Sequence, residues 1–475
     1  MRPPTKAYTT VPSQVGRSKG VPEVTIFPDV IFPAVERARL ANGIEVALAR
    51  RADVPLTSIS VQFDAGSAAD HGRKLGTEMF VSHLLDEGTE ELDSIELANA
   101  EQRLGAEIGV RSNLDSTVIW LRAMNAQLVP SIALFADILR KPAFREEAIE
   151  RLRQSGFAQI SYERTAPALL AERILPTLLY GPGHPYGIPP SGMGTAESFG
   201  SITRADILAF HRDHYRPDSA TIFVVGDTTL PAITALLEQA FGDWAPPQSP
   251  LPRKNLAPVA RPDVPRVFLI DRPGAEQSTI NGGLLNTPTS APGYIAMLLA
   301  NDVFGSGFTS RINMNLREDK HWTYGAYSSL RDAVGQRALI VSAAVQSDKT
   351  AEAMREILKE VSAIVSPTPP TDAEIDIARK SRVRSLPGIY EQSDAVLRAL
   401  ETNHTYGRPD AYVANQKQAL ESQTEADVVA AAKRMLSPDA LTWLVVGDLS
   451  KIEDSIRALN IGPVTVLDAD GKVIR

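Results

Sequence analysis

Pro217-Asp218-Ser219-Ala220-Thr221-Ile222-Phe223-Val224-Val225-Gly226-Asp227 recurs as Pro438-Asp439-Ala440-Leu441-Thr442-Trp443-Leu444-Val445-Val446-Gly447-Asp448. Seven of the eleven positions are identical: Pro, Asp, Thr, Val, Val, Gly and Asp. A turn opened by Pro-Asp and followed by a short run of β-formers reads as entry into a buried strand. Such a match, once in each half of the chain, predicts an internal repeat and hence two domains of one fold.

Between the copies, residues 245–265 hold Pro246, Pro247, Pro250, Pro252, Pro258, Pro262 and Pro265. Each proline fixes φ and lacks a backbone donor, so this density suits neither a helix nor a central strand and predicts a stiff spacer. The expected layout is an extended segment at 1–34, a first domain at 35–245, a Pro-rich linker at 246–265 and a second domain at 266–475.

Each half mixes strands and helices. In the first, 44–51, 58–65, 107–112, 117–124 and 221–225 read as strands, and 72–86, 94–104, 127–139, 202–215 and 230–241 as helices. Residues 146–178 keep helical spacing, with a break expected at Pro167. The second half gives strands at 266–271, 278–285, 325–330 and 337–345, then helices at 349–364, 372–385 and 425–436. Strand runs followed by helix runs predict an α+β fold, two α/β sandwiches each built on a mostly antiparallel sheet flanked by helices, and not a doubly wound parallel sheet.

A chain of 475 residues exceeds one ordinary core, in keeping with two domains. Its formal net charge of -8 disfavours nucleic acid, a polyanion, as a partner. With no cysteine, disulfides and thiolate metal sites are excluded, so any metal must be held by His and carboxylates. No run of about 18 apolar residues predicts a membrane-spanning helix. The first thirty residues are rich in Pro, Thr, Ser and Gly and lack the apolar stretch of a signal peptide. A soluble protein is expected, and the compartment stays open between bacterial periplasm and cytoplasm, since a leader could have been removed.

Seven histidines are candidate ligands: His71, His83, His184, His211, His214, His321 and His404. His211 and His214 share a helical face, but no carboxylate joins them in a matching position, so a solvated or partly packed helix is expected there instead of a metal pair. His83 lies in Gly76-Thr77-Glu78-Met79-Phe80-Val81-Ser82-His83-Leu84-Leu85-Asp86-Glu87-Gly88-Thr89.

This stretch resembles the motif helix of the M16 family of zinc peptidases, the insulinase, pitrilysin and mitochondrial-processing-peptidase group. Their inverted motif, His-x-x-Glu-His, is followed by a Gly-Thr. Aligned on Gly88-Thr89, the resemblance puts His83 at the second His, Ser82 at the Glu base and Met79 at the first His. The family's third ligand, a Glu further along the chain, falls on Gln159. Met79 is a soft, weak donor, Gln159 carries no charge, and Ser82 is no base near neutral pH. One imidazole does not hold zinc against water, so His83 is expected to be an ordinary helix residue and the chain to bind no metal of its own. Other segments follow the family in order: Leu104-Gly105-Ala106, the turn Tyr180-Gly181-Pro182-Gly183-His184-Pro185-Tyr186-Gly187 with His184 as a turn residue, and the repeated Val-Val-Gly-Asp strand ends.

In the second half, Ser310-Arg311-Ile312-Asn313-Met314-Asn315-Leu316-Arg317-Glu318-Asp319-Lys320-His321-Trp322-Thr323-Tyr324 resembles the family segment in which an Arg and a Tyr, seven residues apart, face the zinc site from the C-terminal half. The resemblance assigns substrate binding to Arg317 and Tyr324. The chemistry suits them: a guanidinium grips carboxylate or carbonyl oxygens, and a phenol O–H aimed at a developing oxyanion lowers the barrier. Gly305-Ser306-Gly307 lacks the Gly-Lys-Ser/Thr ending of a phosphate loop, so no nucleotide is expected.

The resemblance thus implies a non-catalytic subunit of a heterodimeric zinc peptidase. A homologous partner would carry His-x-x-Glu-His and the zinc, while Arg317 and Tyr324 act on peptide substrates in trans. The alternatives are a non-enzymatic scaffold or peptide-binding subunit of a larger complex, and a self-sufficient peptidase with a rearranged metal site.

Overall fold

The computed structural model describes residues 28–475, so most of the expected extended segment lies outside the described residues. Two mixed six-stranded sheets organise the chain. The first is built from β1 (Val35–Arg39), β2 (Glu45–Arg50), β3 (Leu56–Phe63), β4 (Glu107–Ser112), β5 (Thr117–Met124) and β6 (Thr221–Gly226), in the order β1-β2-β6-β3-β5-β4. The second contains β7 (Arg266–Asp271), β8 (Gln277–Asn286), β9 (Thr323–Leu330), β10 (Arg337–Gln346), β11 (Thr442–Gly447) and β12 (Val464–Leu467), in the order β12-β7-β11-β8-β10-β9.

The repeated sequence sits at matching places. β6 and β11 are buried along their whole length, each between a parallel neighbour (β2 or β7) and an antiparallel one (β3 or β8). Runs such as Thr-Ile-Phe-Val-Val suit that place because a strand covered on both faces needs apolar residues without alternation. The sheets differ at one edge. β1, from the start of the described chain, closes the first antiparallel, and β12, from its end, closes the second parallel.

The helices of the first half are α1 (Thr77–Leu84), α2 (Ser94–Leu104), α3 (Leu128–Arg140), α4 (Glu146–Thr165), α5 (Pro167–Tyr180), α6 (Ala196–Ser201), α7 (Arg204–His214) and α8 (Leu230–Phe241). The second half follows with α9 (Tyr294–Asn301), α10 (Arg311–Asn313), α11 (Thr350–Val365), α12 (Asp372–Ile389), α13 (Ser393–Thr405), α14 (Tyr412–Glu421), α15 (Glu425–Met435) and α16 (Leu449–Arg457). Residues 245–265 form no helix or strand. The expected break before Pro167 is real: Ala166 leaves the helical region and Pro167 opens α5, where its missing N–H is harmless. The motif helix begins at Thr77 and not at residue 72, because Asp70 stops the preceding turn and caps α1. Its Oδ2 accepts from the Gly76 N–H at 2.7 Å and its Oδ1 from the Glu78 N–H at 2.9 Å. α6, α9, α10, α13, α14 and α16 were not among the expected helices.

The halves exchange helices. α5 leaves the first half and lays Leu170, Ile174, Leu175 and Leu179 on Ile270, Leu285, Leu444 and Val446 of the second sheet. α13 leaves the second and lays Val396, Leu397 and Leu400 on Ala47, Ala49, Phe223 and Val225 of the first. Each sheet therefore has one face covered by its own helices and the other by a helix of its neighbour. A polar seam fixes α13: the buried Glu401 accepts from Ser60 Oγ at 2.6 Å and pairs with Arg111. Ser60→Ala leaves that carboxylate with one partner fewer, and chemical denaturation should show a loss of about 1–2 kcal/mol.

Candidate functional site

α1 carries three of the positions singled out by the motif. Met79 and Ser82 are buried, at 3% and 4% exposure, whereas His83 is exposed. Met79 belongs to the first apolar core, where its thioether fills space. Ser82 Oγ donates to the Met79 carbonyl at 3.2 Å, and His83 Nδ1 lies 3.0 Å from the same oxygen. Both polar side chains thus spend hydrogen-bonding capacity on the preceding turn of their own helix. The Gly that follows has a steric cause: Gly88 has φ +126°, and a Cβ there would collide with Arg145 Nη1 and meet Leu92 O at 2.8 Å.

Gln159, on α4, is half-buried and donates from Nε2 to Glu163 Oε1 at 3.4 Å. Glu163 in turn holds Arg173 of α5: Oε2 lies 2.7 Å from Nη1, with both side chains at most 7% exposed. Neither residue was singled out in the sequence. A signal was present, since Arg173 interrupts the apolar side of Leu170-Ala171-Glu172-Arg173-Ile174-Leu175, and a cation on a buried face demands a buried partner. The fourth side of this region is the loop before α6: Gly192 packs so that its Cβ would stand 3.9 Å from that of Met79.

A zinc ion does not fit these residues. A thioether, a hydroxyl, an exposed imidazole and an amide give one good nitrogen donor and no carboxylate where three ligands are needed. Among the described residues no group of three or more His, Asp or Glu is placed to hold a metal. His211 and His214 form no pair, and they are packed, not solvated. His211 Nε2 bonds the Leu139 carbonyl at 2.9 Å, His214 stacks on Phe210, and burial pushes both imidazoles down to about 4, so they are neutral. His184 is a turn residue: its Nδ1 accepts from the Tyr186 N–H at 3.0 Å and its ring stacks on Tyr180. The same turn joins the halves, because Tyr186 Oη donates to Asp115 and accepts from the Gly335 N–H at 2.9 Å.

Arg317 and Tyr324 face outward. Arg317 lies on the widened helical turns Met314–Asp319, about one-third exposed, with its guanidinium carbon 4.5 Å from the Phe308 ring centroid and Nε 3.5 Å from Glu318 Oε1. That stacking holds the cation by one face and leaves its N–H edge available. Tyr324 is 91% exposed on β9, the edge strand of the second sheet. The elements carrying the pair are tied together: the Trp322 N–H donates to Leu316 O at 3.0 Å, and the Ala326 N–H to Asn313 Oδ1 at 3.2 Å. His321 makes the turn between them with a φ of +58°, unusual for a residue with a Cβ, and its Nδ1 lies 3.0 Å from Arg317 O.

A second feature went unread in the sequence. Glu78, beside Met79 on α1, is 2% exposed and accepts from Thr117 Oγ1 at 2.7 Å. Burial pushes its carboxyl up to about 7, against the hydroxyls of Thr117, Ser112 and Ser82, which hold it down. The motif helix thus carries a buried acid next to Met79.

Comparison with known proteins agrees along the chain. A family model described as insulinase (peptidase family M16) matches residues 45–180, and one described as peptidase M16 inactive domain matches residues 201–382. A protein of Mycobacterium tuberculosis called an uncharacterized zinc protease is 26% identical over 408 residues, 85% of this chain and 91% of that one. A probable mitochondrial-processing peptidase subunit beta of Schizosaccharomyces pombe is 28% identical over 221 residues, 46% of this chain and 48% of the other. Among solved structures, a peptidase M16 inactive domain from Pseudomonas fluorescens superposes with a TM-score of 0.80 at 25% identity, covering 87% of this chain and 98% of its own. A protease from Helicobacter pylori shares the fold, with a TM-score of 0.79 at 20% identity over 88% of this chain and all of the other.

Proposed function

This chain belongs to the M16 peptidase family, and from that premise we propose that it is the zinc-free subunit of a two-chain metallopeptidase, gripping peptide substrate for a partner that carries His-x-x-Glu-His. In this reading residues 35–245 are the half whose metal site has lapsed, 246–265 the connection, and 266–475 the half that presents Arg317 and Tyr324. The zinc and the general base belong to the partner, and no metal is assigned to this chain. No described helix is long and apolar enough to cross a membrane.

One observation carries the proposal. The positions that would hold a metal are buried or committed to their own helix, whereas Tyr324 stands almost wholly exposed and Arg317, about one-third exposed, lies on an element tied to the strand of Tyr324. A phenol at 91% exposure has given up the burial that ordinarily stabilises an aromatic side chain, which favours a partner surface or ligand as its use. In the assembled enzyme, Arg317 would hold a carboxylate or carbonyl oxygen of the peptide, and the Tyr324 O–H would donate to the carbonyl oxygen at the scissile bond as negative charge builds there.

Reconstitution tests the proposal. Neither this chain nor a zinc-bearing M16 partner freed of it should hydrolyse an unstructured reporter peptide efficiently, and an equimolar mixture should. Chelator-sensitive hydrolysis by this chain alone, or no gain on mixing with a partner that binds it, would refute the reading.

A further inference from the structure

We infer that the family's metal pocket has been rebuilt in this chain around the buried ion pair Glu163–Arg173, which ties together the elements that surround the pocket and keeps a divalent cation out. The pair is bonded to one of the lapsed positions, Gln159, and to the loop that packs on another, Met79. Glu163 lies one helical turn beyond Gln159 and is bonded to it, and its Oε2 also accepts from Ser191 Oγ at 3.3 Å. Arg173 Nη2 donates to the Gly194 carbonyl. α4, α5 and the loop running from Ser191 to Gly194 are therefore joined at one guanidinium–carboxylate contact, and Gly192 of that loop closes over Met79 on α1.

Charge explains the exclusion. A pocket that binds a dication needs uncompensated negative charge, but the one carboxylate bonded to Gln159 is already neutralised by Arg173 at 2.7 Å. Restoring ligands at Met79, Ser82 and Gln159 would leave a buried guanidinium next to the incoming ion, with little water to screen the repulsion. A guanidinium can take over the structural half of a metal's work, since its planar N–H groups bridge a carboxylate and a backbone carbonyl at once. It cannot polarise a carbonyl as a Lewis acid does. The inference concerns this chain alone and stands or falls independently of any partner.

Two measurements on the isolated full chain test it. The first is zinc content after dialysis, with affinity read by competition against a chromogenic chelator, for Met79→His/Ser82→Glu/Gln159→Glu and for the same variant with Glu163→Gln and Arg173→Met added. The three-fold variant should take up no stoichiometric zinc, and the five-fold variant one ion per chain, at least about 100-fold tighter. Equal uptake by both, or none by either, overturns the inference. The second is thermal unfolding. Arg173→Met strands a buried carboxylate and should lower the melting temperature by about 5 °C, and adding Glu163→Gln should recover at least half of the loss. An unchanged melting temperature in Arg173→Met, or no recovery in the double variant, contradicts a structural pair.

Discussion

In the reconstituted two-chain enzyme, Tyr324→Phe should lower kcat by about 10²–10³-fold while leaving KM within a few-fold, because it deletes one hydrogen-bond donor aimed at charge that appears only in the transition state. Arg317→Ala should act differently. Its contact with the peptide exists in the ground state as well, so the loss falls mainly on KM, about 10–100-fold for one charge-assisted hydrogen bond. Arg317→Lys should recover little of it, since an ammonium neither stacks on Phe308 as a planar guanidinium does nor offers two parallel N–H groups. Both residues lie at the surface and Tyr324 buries almost nothing, so neither substitution should shift the unfolding midpoint of the isolated chain. Steady-state kinetics on the mixed enzyme decide the matter. A scaffold reading predicts that assembly with the partner is necessary but that both variants turn over at the parental rate.

Much of this organisation was legible in the chain. The repeat at Pro217 and Pro438 gave the two central strands, and β4, β5, β7 and α8 lie where their β-former or helical spacing placed them, because each packs apolar residues against its own domain, those of β4 (Ile108 and Val110) only partly buried. α13 was missed for a physical reason: what it covers is the outer face of the other half's sheet, and its apolar positions acquire meaning only from that distant surface. Its twin α5 was seen as a helix, yet its destination on the second sheet was not. The site divides in the same way. Met79, Ser82 and His83 could be placed on one helix from the sequence, whereas the Glu163–Arg173 pair depends on a tertiary contact between two helices. Glu78 was passed over because a Glu in the first turn of a helix ordinarily faces solvent and favours the helix dipole. Here the strand bearing Thr117 covers it.

Glu78 is also a residue whose replacement should change stability strongly with pH. Its carboxyl titrates near 7 in the fold and near 4.5 when exposed in the unfolded chain, so the fold binds the extra proton in between. Below about pH 4.5 both states are protonated and the group is neutral in its effect. As pH rises toward 7 the unfolded chain ionises first, and stability declines across that window. Above 7 the folded carboxyl ionises too, and the loss levels off at about 3 kcal/mol. Asp70 adds to the same trend: burial and then the Glu78 charge raise its carboxyl, although the backbone N–H groups of Gly76 and Glu78 favour its ionised form. Glu78→Gln should therefore stabilise the protein at pH 8 by up to about 3 kcal/mol, do little at pH 5, and flatten the pH profile between, because an amide oxygen still accepts from Thr117 Oγ1 and no longer repels Asp70. Urea titrations at those two pH values measure the difference directly. A variant that loses stability equally at both would mean that the ionised carboxylate, held by its hydroxyls, is the form the fold was built around.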